Sequence, residues 1–422
     1  MRKIAYGAIW LFVASIPTQE IAASTFVEVS GTISRLIGLA AAMVAIMVLI
    51  YEGRLRPFSV AHGIIMLYFA WGGFSFIWSA DQTATFGRLV TNVQLAAMII
   101  IFCQFAAGKR ENHGLVVAYL VGAAVSLVEL FRRYMRGNVF HEGYFVDRYT
   151  AFDNNPNDYA LALAIAIPMA WFLIMIARKK WELVLGYAYM GAGTVGVLMT
   201  GSRGGLIATV VAVLVMPLSL SKLSGSRKLL TVFFVVAAVW VGIQVTPQRV
   251  LARFETLEAL APSAVPESYY GELEGPNIRT VVWRQGMKEF LSNPQVAVVG
   301  LGAGAYVEGV EPIYGERFVA HNVFVSILVE QGIIGFGLFL IIMYLVVSPL
   351  RYLDVAERYL WRFAFLTWAV GVTFMTWEHT KNTWFLIGLL AARIVSAKMD
   401  SPKKPGLISG LFTRGGLRLH AR

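Results

Sequence analysis

HNVFVSILVEQGIIGFGLFLIIMYLVV, His321 to Val347, decides how this chain is read. From Val323 onward it is apolar for longer than the ~20 residues a helix needs to cross a bilayer. Only Glu330 interrupts its run of uncharged residues. At its head stand His321 and Asn322, a titratable side chain and an amide. The preceding stretch, from Asn277, carries Ile278-Arg279-Thr280-Val281-Val282-Trp283-Arg284, a basic segment whose helical pattern runs to Leu291 and closes at Asn293-Pro294. A glycine turn follows, Gly300-Leu301-Gly302-Ala303-Gly304. Arginines and a histidine thus come to the lip of a membrane helix.

The rest of the chain repeats the apolar pattern. It is 57% hydrophobic and 14% charged, with a mean hydropathy of +0.64. Lipid offers the backbone no hydrogen-bond partners, so a spanning segment is a helix or part of a closed barrel. The continuous blocks here exclude the short alternating strands of a barrel. The expected fold is an all-α polytopic membrane protein with twelve spans, near 4–23, 31–51, 60–79, 88–107, 113–131, 159–177, 182–200, 204–220, 229–245, 321–347, 360–377 and 382–397. Residues 1–422 read as one integral membrane domain, with a large loop over 246–320 holding short surface helices and a basic tail over 398–422. Arg2-Lys3 and Ala22-Ala23-Ser24 flank a core of signal-peptide length, read here as an uncleaved anchor.

A net charge of +11 does not call for a nucleic acid. The cations cluster in alternate short connections and in the tail, the bias that orients a membrane protein, and they put both termini in the cytoplasm. A single cysteine, Cys103, leaves no internal disulfide. On the opposite, outer side the chain still carries Arg132, Arg133, Arg136, Arg148, Arg203, Arg249, Arg253, Arg279, Arg284, Lys288, Arg317 and Lys381. Individually such groups pair with surface carboxylates to little energetic effect; as a set they fit an anionic ligand. Arg203 has the sharpest position, in Thr200-Gly201-Ser202-Arg203-Gly204-Gly205, a turn that leaves almost no loop between two spans. A guanidinium there suits a phosphate or diphosphate, to which it donates two parallel hydrogen bonds. His321 is the general-base candidate, since an imidazole accepts a proton near neutrality; His141 and His379, also outer, are its rivals. No phosphate-loop motif, H-E-x-x-H or Cys/His cluster is present, so no cofactor and no metal is expected.

Taken together, Gly201-Ser202-Arg203-Gly204-Gly205, Arg279-x-x-x-Trp283 with Asn293-Pro294, Gly300-x-Gly302-x-Gly304, and His321-Asn322 with Glu330-x-Gly332-x-x-Gly335 resemble the O-antigen ligase superfamily, most strongly from Phe152 to Val347. The resemblance implies a metal- and ATP-independent glycosyltransferase of the bacterial inner membrane with a periplasmic active site. Its donor would be a glycan on undecaprenyl diphosphate and its acceptor a hydroxyl of the lipid A–core oligosaccharide. It assigns catalysis to His321, Arg203 and Arg279, and Arg284, Asn322 and Lys381 become candidate substrate contacts. Two rivals stand beside this reading. One is a polymerase joining lipid-linked repeat units, for which Arg132 to Gly143 matches an R-x10-G spacing. The other is a transporter or scaffold without chemistry, for which Glu129 and Glu330 would be the intramembrane charges.

Overall fold

The computed structural model describes residues 1–18, 33–142, 146–152, 154–255, 276–313 and 315–400. The tail and the middle of the long loop, with Arg418 and Glu267, lie outside these residues, as do the side chains of His141 and Arg253.

Helices dominate. In chain order they are α1 (Arg2–Ser15), α2 (Ile33–Glu52), α3 (Val60–Phe74), α4 (Gln82–Phe105), α5 (Lys109–Met135), α6 (Pro156–Ile176), α7 (Lys180–Met199), α8 (Arg203–Val215), α9 (Gly225–Val245), α10 (Gln248–Glu255), α11 (Pro276–Ser292), α12 (Pro294–Val299), α13 (Tyr306–Gly309), α14 (Val323–Val347), α15 (Val355–Gly371) and α16 (Lys381–Asp400). Among the described residues, 9 helices are long and apolar enough to cross a membrane: α2 to α9 and α14, three of them extended by 3-10 turns. The first and the last two expected spans correspond to α1, α15 and α16, of 14, 17 and 20 residues. One addition is not helical: β1 (Phe140–Glu142) pairs antiparallel with β2 (Val146–Arg148) in the loop that follows α5.

Helix starts follow local chemistry. Asp81, Ser202, Asn293, Asn322 and Asp354 each accept a backbone N–H of the first turn they precede, satisfying donors that otherwise have no partner. Asp81 explains why α4 begins at Gln82 rather than near residue 88, where the apolar run begins.

The centre of the bundle is α6. Of its apolar window 89% is buried, against 17% for α9 and 22% for α2. A helix that is apolar all round belongs in a core, and α6 packs against α5, α7, α8 and α15. Polar tips inside the bundle find partners: Trp171 Nε1 donates to Ser219 Oγ at 2.8 Å and Tyr119 OH to Asn382 Oδ1 at 2.7 Å. The weakly buried α9 and α2 turn apolar faces outward, as helices facing lipid do.

The glycine turn and α14 are built around each other. The sequence reads α14 as one uninterrupted helix, but Gly332 has φ 65° and ψ −171° and breaks it. The break frees the carbonyls of Val329 and Glu330, which accept N–H bonds from Leu301 and Gly302 at 2.9 Å each. Irregular backbone at membrane depth persists only where protein buries it and satisfies its polar groups. A Cβ on Gly332 would overlap the Val298 carbonyl, and one on Gly300, φ 81°, the Glu330 carbonyl. Only glycine tolerates both the conformation and the approach.

Candidate active site

Four segments meet at one end of the bundle: the Thr200–Gly205 turn, α11, the corner at His321 and the connection Met375–Thr380 between α15 and α16. His321 precedes the Asn322 cap and is held at φ 46°, a left-handed conformation uncommon for a side-chain-bearing residue. Its N–H donates to Thr376 Oγ1 at 2.9 Å. One residue earlier, Ala320 O accepts from Trp283 Nε1 at 2.7 Å. Trp283 lies one turn along α11 from Arg279, so this bond fastens the helix of Arg279 to the residue beside His321. From the other side, Gly204 lies so close to Phe374 that an added Cβ would stand 2.9 Å from its Cβ. Phe374 is two residues from Thr376. Gly204 and the His321 backbone therefore rest against the same short segment, and the helix of Arg279 is tied to the His321 corner through Trp283. Arg203 and Arg279 are both partly buried.

The Arg203 turn has a support that the sequence did not single out. Arg148, at the end of β2, is fully buried. Its Nε donates to Thr200 O at 2.7 Å and its Nη2 to Asn157 Oδ1 at 2.8 Å. Tyr149 N–H reaches Met199 O at 3.2 Å. Gly201, φ 63°, makes the reversal, and a Cβ on Gly205 would overlap Ala160, so α8 lies tight on α6. The planar fork of an arginine, with several donors, can tie a loop carbonyl to a helix N-terminus.

Below His321 lies a buried polar group. Glu330 accepts the N–H of Gly304 at 2.7 Å and of Tyr306 at 3.4 Å. Ser326 donates to Glu378 Oε1 at 2.8 Å. His379 Nδ1 meets Asn92 Oδ1 at 3.3 Å, and its Nε2 stands 4.0 Å from Glu330 and from Glu378. The two carboxylates and the imidazole bring ligand atoms within 4.8 Å of one another, the one such set among the described residues. Two carboxylates and a histidine suit a divalent ion. Against it stands Arg88 on α4, whose positive charge acts on all three groups, so a second cation would meet repulsion. Burial, and then Arg88, holds the His379 imidazole down at about 4, against the pull of Glu378. His379 is therefore neutral at pH 7 and sealed from solvent, which removes it as a rival to His321 for a base that must reach a substrate. Glu330 and Arg88 are visible in sequence as charges inside apolar runs, a signal that the count of outer cations passed over for Arg88.

The remaining candidates divide. Asn322 Oδ1 is occupied by the N–H groups of Phe324 and Val325 at 2.9 and 3.1 Å, which leaves its amide nitrogen as the group to face a ligand. Arg284 is exposed on α11, away from the Trp283 face, as its position five residues beyond Arg279 implies. Lys381 Nζ donates to Ser34 Oγ at 3.2 Å, under the start of α2. Lys288 and Arg317 form the surface ion pairs that the sequence allowed for, with Glu311 at 3.3 Å and Glu308 at 3.2 Å. Lys288 also holds the Glu311 carboxyl below its ordinary value.

Against protein families, residues 188–340 match the model described as O-antigen ligase (Wzy_C). Comparison with curated proteins finds no match. The matched stretch runs from within α7 to within α14 and takes in the Arg203 turn, the helix of Arg279, the glycine turn and the His321 corner; over these residues the chain is similar to the O-antigen ligase family.

Proposed function

We propose that the protein is an O-antigen ligase of the bacterial inner membrane, with twelve spans, both termini cytoplasmic and its active site on the periplasmic face. It transfers a glycan from undecaprenyl diphosphate to a hydroxyl of the lipid A–core oligosaccharide. The observation that carries the reading is the convergence at His321: one hydrogen bond ties the corner to Thr376, and another ties the helix of Arg279 to Ala320.

In this mechanism Arg203 and Arg279 hold the donor's diphosphate. His321 accepts the proton of the acceptor hydroxyl as its oxygen bonds to the anomeric carbon. The bond from that carbon to the diphosphate oxygen breaks, and the electron pair leaves with the polyprenyl diphosphate. Attack opposite the leaving group inverts the configuration at the sugar carbon. The diphosphate is already activated, so the step needs neither ATP nor a metal. Charge grows on the leaving oxygen, where fixed guanidinium groups stabilise it most. Asn322, through its amide nitrogen, and the exposed Arg284 contact sugars or phosphates of the acceptor. Lys381 adds positive charge beside the His379 connection.

The test is complementation of a ligase-deficient strain with wild type and His321→Ala. Long glycan on lipid A–core with wild type alone supports the reading. Glycan lengthened while still on the isoprenoid carrier supports a polymerase instead. Unchanged complementation by variants neutralised at Arg203, Arg279 and His321 supports a scaffold.

A further inference from the structure

Beside the Arg203 turn, α5, α7 and α9 enclose a cavity of about 380 Å³ that is open on one side, a size in the ~300–1,000 Å³ range of ligand sites. Its walls are apolar, formed among others by Phe131, Tyr134, Gly191, Ala192, Ala238 and Val245. These residues come from the ends of α5, α7 and α9 that share a side with Arg203. Met199 also lines the cavity, and the next residue, Thr200, gives its carbonyl to Arg148. The cavity thus ends where the Arg203 turn begins. Tyr134 crosses its upper edge, donating to Val245 O at 2.9 Å.

We propose that this cavity seats the polyprenyl chain of the lipid-linked donor, with its phosphates rising to the arginine rim. The assignment rests on the donor read above and says where on the protein that donor lies. Charge complementarity supports it. Arg132 and Arg133 share one carboxylate, Glu129, and Arg136 caps α5 two residues beyond Tyr134. Met199, which lines the cavity, lies four residues before Arg203 in the chain. An apolar slot under a cationic rim fits a lipid with an anionic head.

Shape selects among such lipids. Acyl tails are as apolar as any protein wall, so inside a bilayer apolarity alone chooses no ligand, and packing decides. Here Gly191 and Ala192 on α7 face Ala237 and Ala238 on α9. These small residues leave notches along the slot, which take the methyl branches of an isoprenoid better than a straight acyl chain. An ideal Cβ on Gly191 meets nothing within 4 Å, so the notch is open space rather than a packed helix contact.

The test is photo-crosslinking in nanodiscs with a polyprenyl phosphate that carries a diazirine in its first isoprene units. Expected labels fall on α5, α7 and α9 near Phe131, Ala192 and Ala238. Undecaprenyl phosphate should compete and phosphatidylglycerol should not. Gly191→Leu fills the notch and replaces glycine by a better helix former; it and Ala192→Phe should each cut labelling about tenfold, with thermal unfolding of each variant measured beside wild type. Val232→Phe, on the lipid-facing side of α9 outside the cavity, should leave labelling intact. Labels elsewhere, equal competition by phosphatidylglycerol, or full labelling of Ala192→Phe overturns the assignment. Cavity labelling without glycan transfer to lipid A–core would uphold this site and refute the ligase reading, whereas transfer with labels elsewhere would do the reverse.

Discussion

Replacing Thr376 by valine removes a single hydroxyl and keeps the shape of the side chain. That hydroxyl is the acceptor for the His321 N–H at 2.9 Å, and His321 sits at φ 46°, a conformation that persists only when its surroundings impose it. Leaving a sheltered N–H without its acceptor costs about 1–3 kcal/mol, and strain of the left-handed backbone adds about 1 kcal/mol of drive toward relaxation. If the corner keeps its place, the bundle loses that stability. If it relaxes, His321 leaves its working position and the cost appears in the rate. At about 1.4 kcal/mol per factor of ten, the roughly 1–3 kcal/mol of the lost hydrogen bond alone corresponds to a fall in turnover of about 5- to 150-fold. Because the donor is held by Arg203 and Arg279, KM for donor should change little. Thr376→Ser, which keeps the hydroxyl, should recover most of the rate. The assay is transfer from purified lipid-linked donor to lipid A–core by protein in nanodiscs, with thermal unfolding measured in parallel. Turnover of Thr376→Val within twofold of wild type, or an equal loss in Thr376→Ser, would refute the reasoning.

Other perturbations have equally definite outcomes. Gly332→Ala forces φ 65° on an alanine and drives its Cβ into the Val298 carbonyl, so the protein should lose several kcal/mol, about 3 or more, seen as a large fall in Tm or in folded yield. Arg148→Met removes two charge-assisted bonds from a fully buried site and should cost about 2–4 kcal/mol, with transfer reduced as the Arg203 turn loosens. Lys288→Ala breaks an exposed pair with Glu311 and should leave both Tm and transfer unchanged, since such pairs contribute little. His379 titrates near 6.5 when unfolded and about 4 when folded, so the unfolded chain binds more protons between those values. Stability should therefore rise with pH from about 4 to about 6.5 and flatten above, and His379→Gln should flatten that part of a Tm-against-pH curve.

Much of this architecture is written locally. Apolar runs locate the helices, and asparagine, serine and aspartate mark their starts, as at Asn322, Ser202 and Asp81. The amphipathic pattern places α11 within two residues at its start and one at its end. The break at Gly332 is different, because a glycine in an apolar helix carries no signal until Val298 to Leu301 are known to lie against it. Trp283 was legible as a motif residue, but its hydrogen-bond partner, Ala320, lies 37 residues away. The Glu330, Glu378 and His379 group likewise joins segments distant in the chain. Arg148 reads as one more outer cation in sequence. Only the hairpin of β1 and β2, which depends on pairing rather than periodicity, carries it under the Thr200 turn.

The central claim is that an imidazole at the His321 corner readies an acceptor hydroxyl while Arg203 and Arg279 hold a polyprenyl diphosphate. Its most direct test is transfer by the purified protein from a donor of defined anomeric configuration, with the product linkage read by NMR. The account predicts an inverted linkage on lipid A–core formed by wild type and lost in His321→Ala. A retained linkage, or undiminished transfer by His321→Ala, would contradict it.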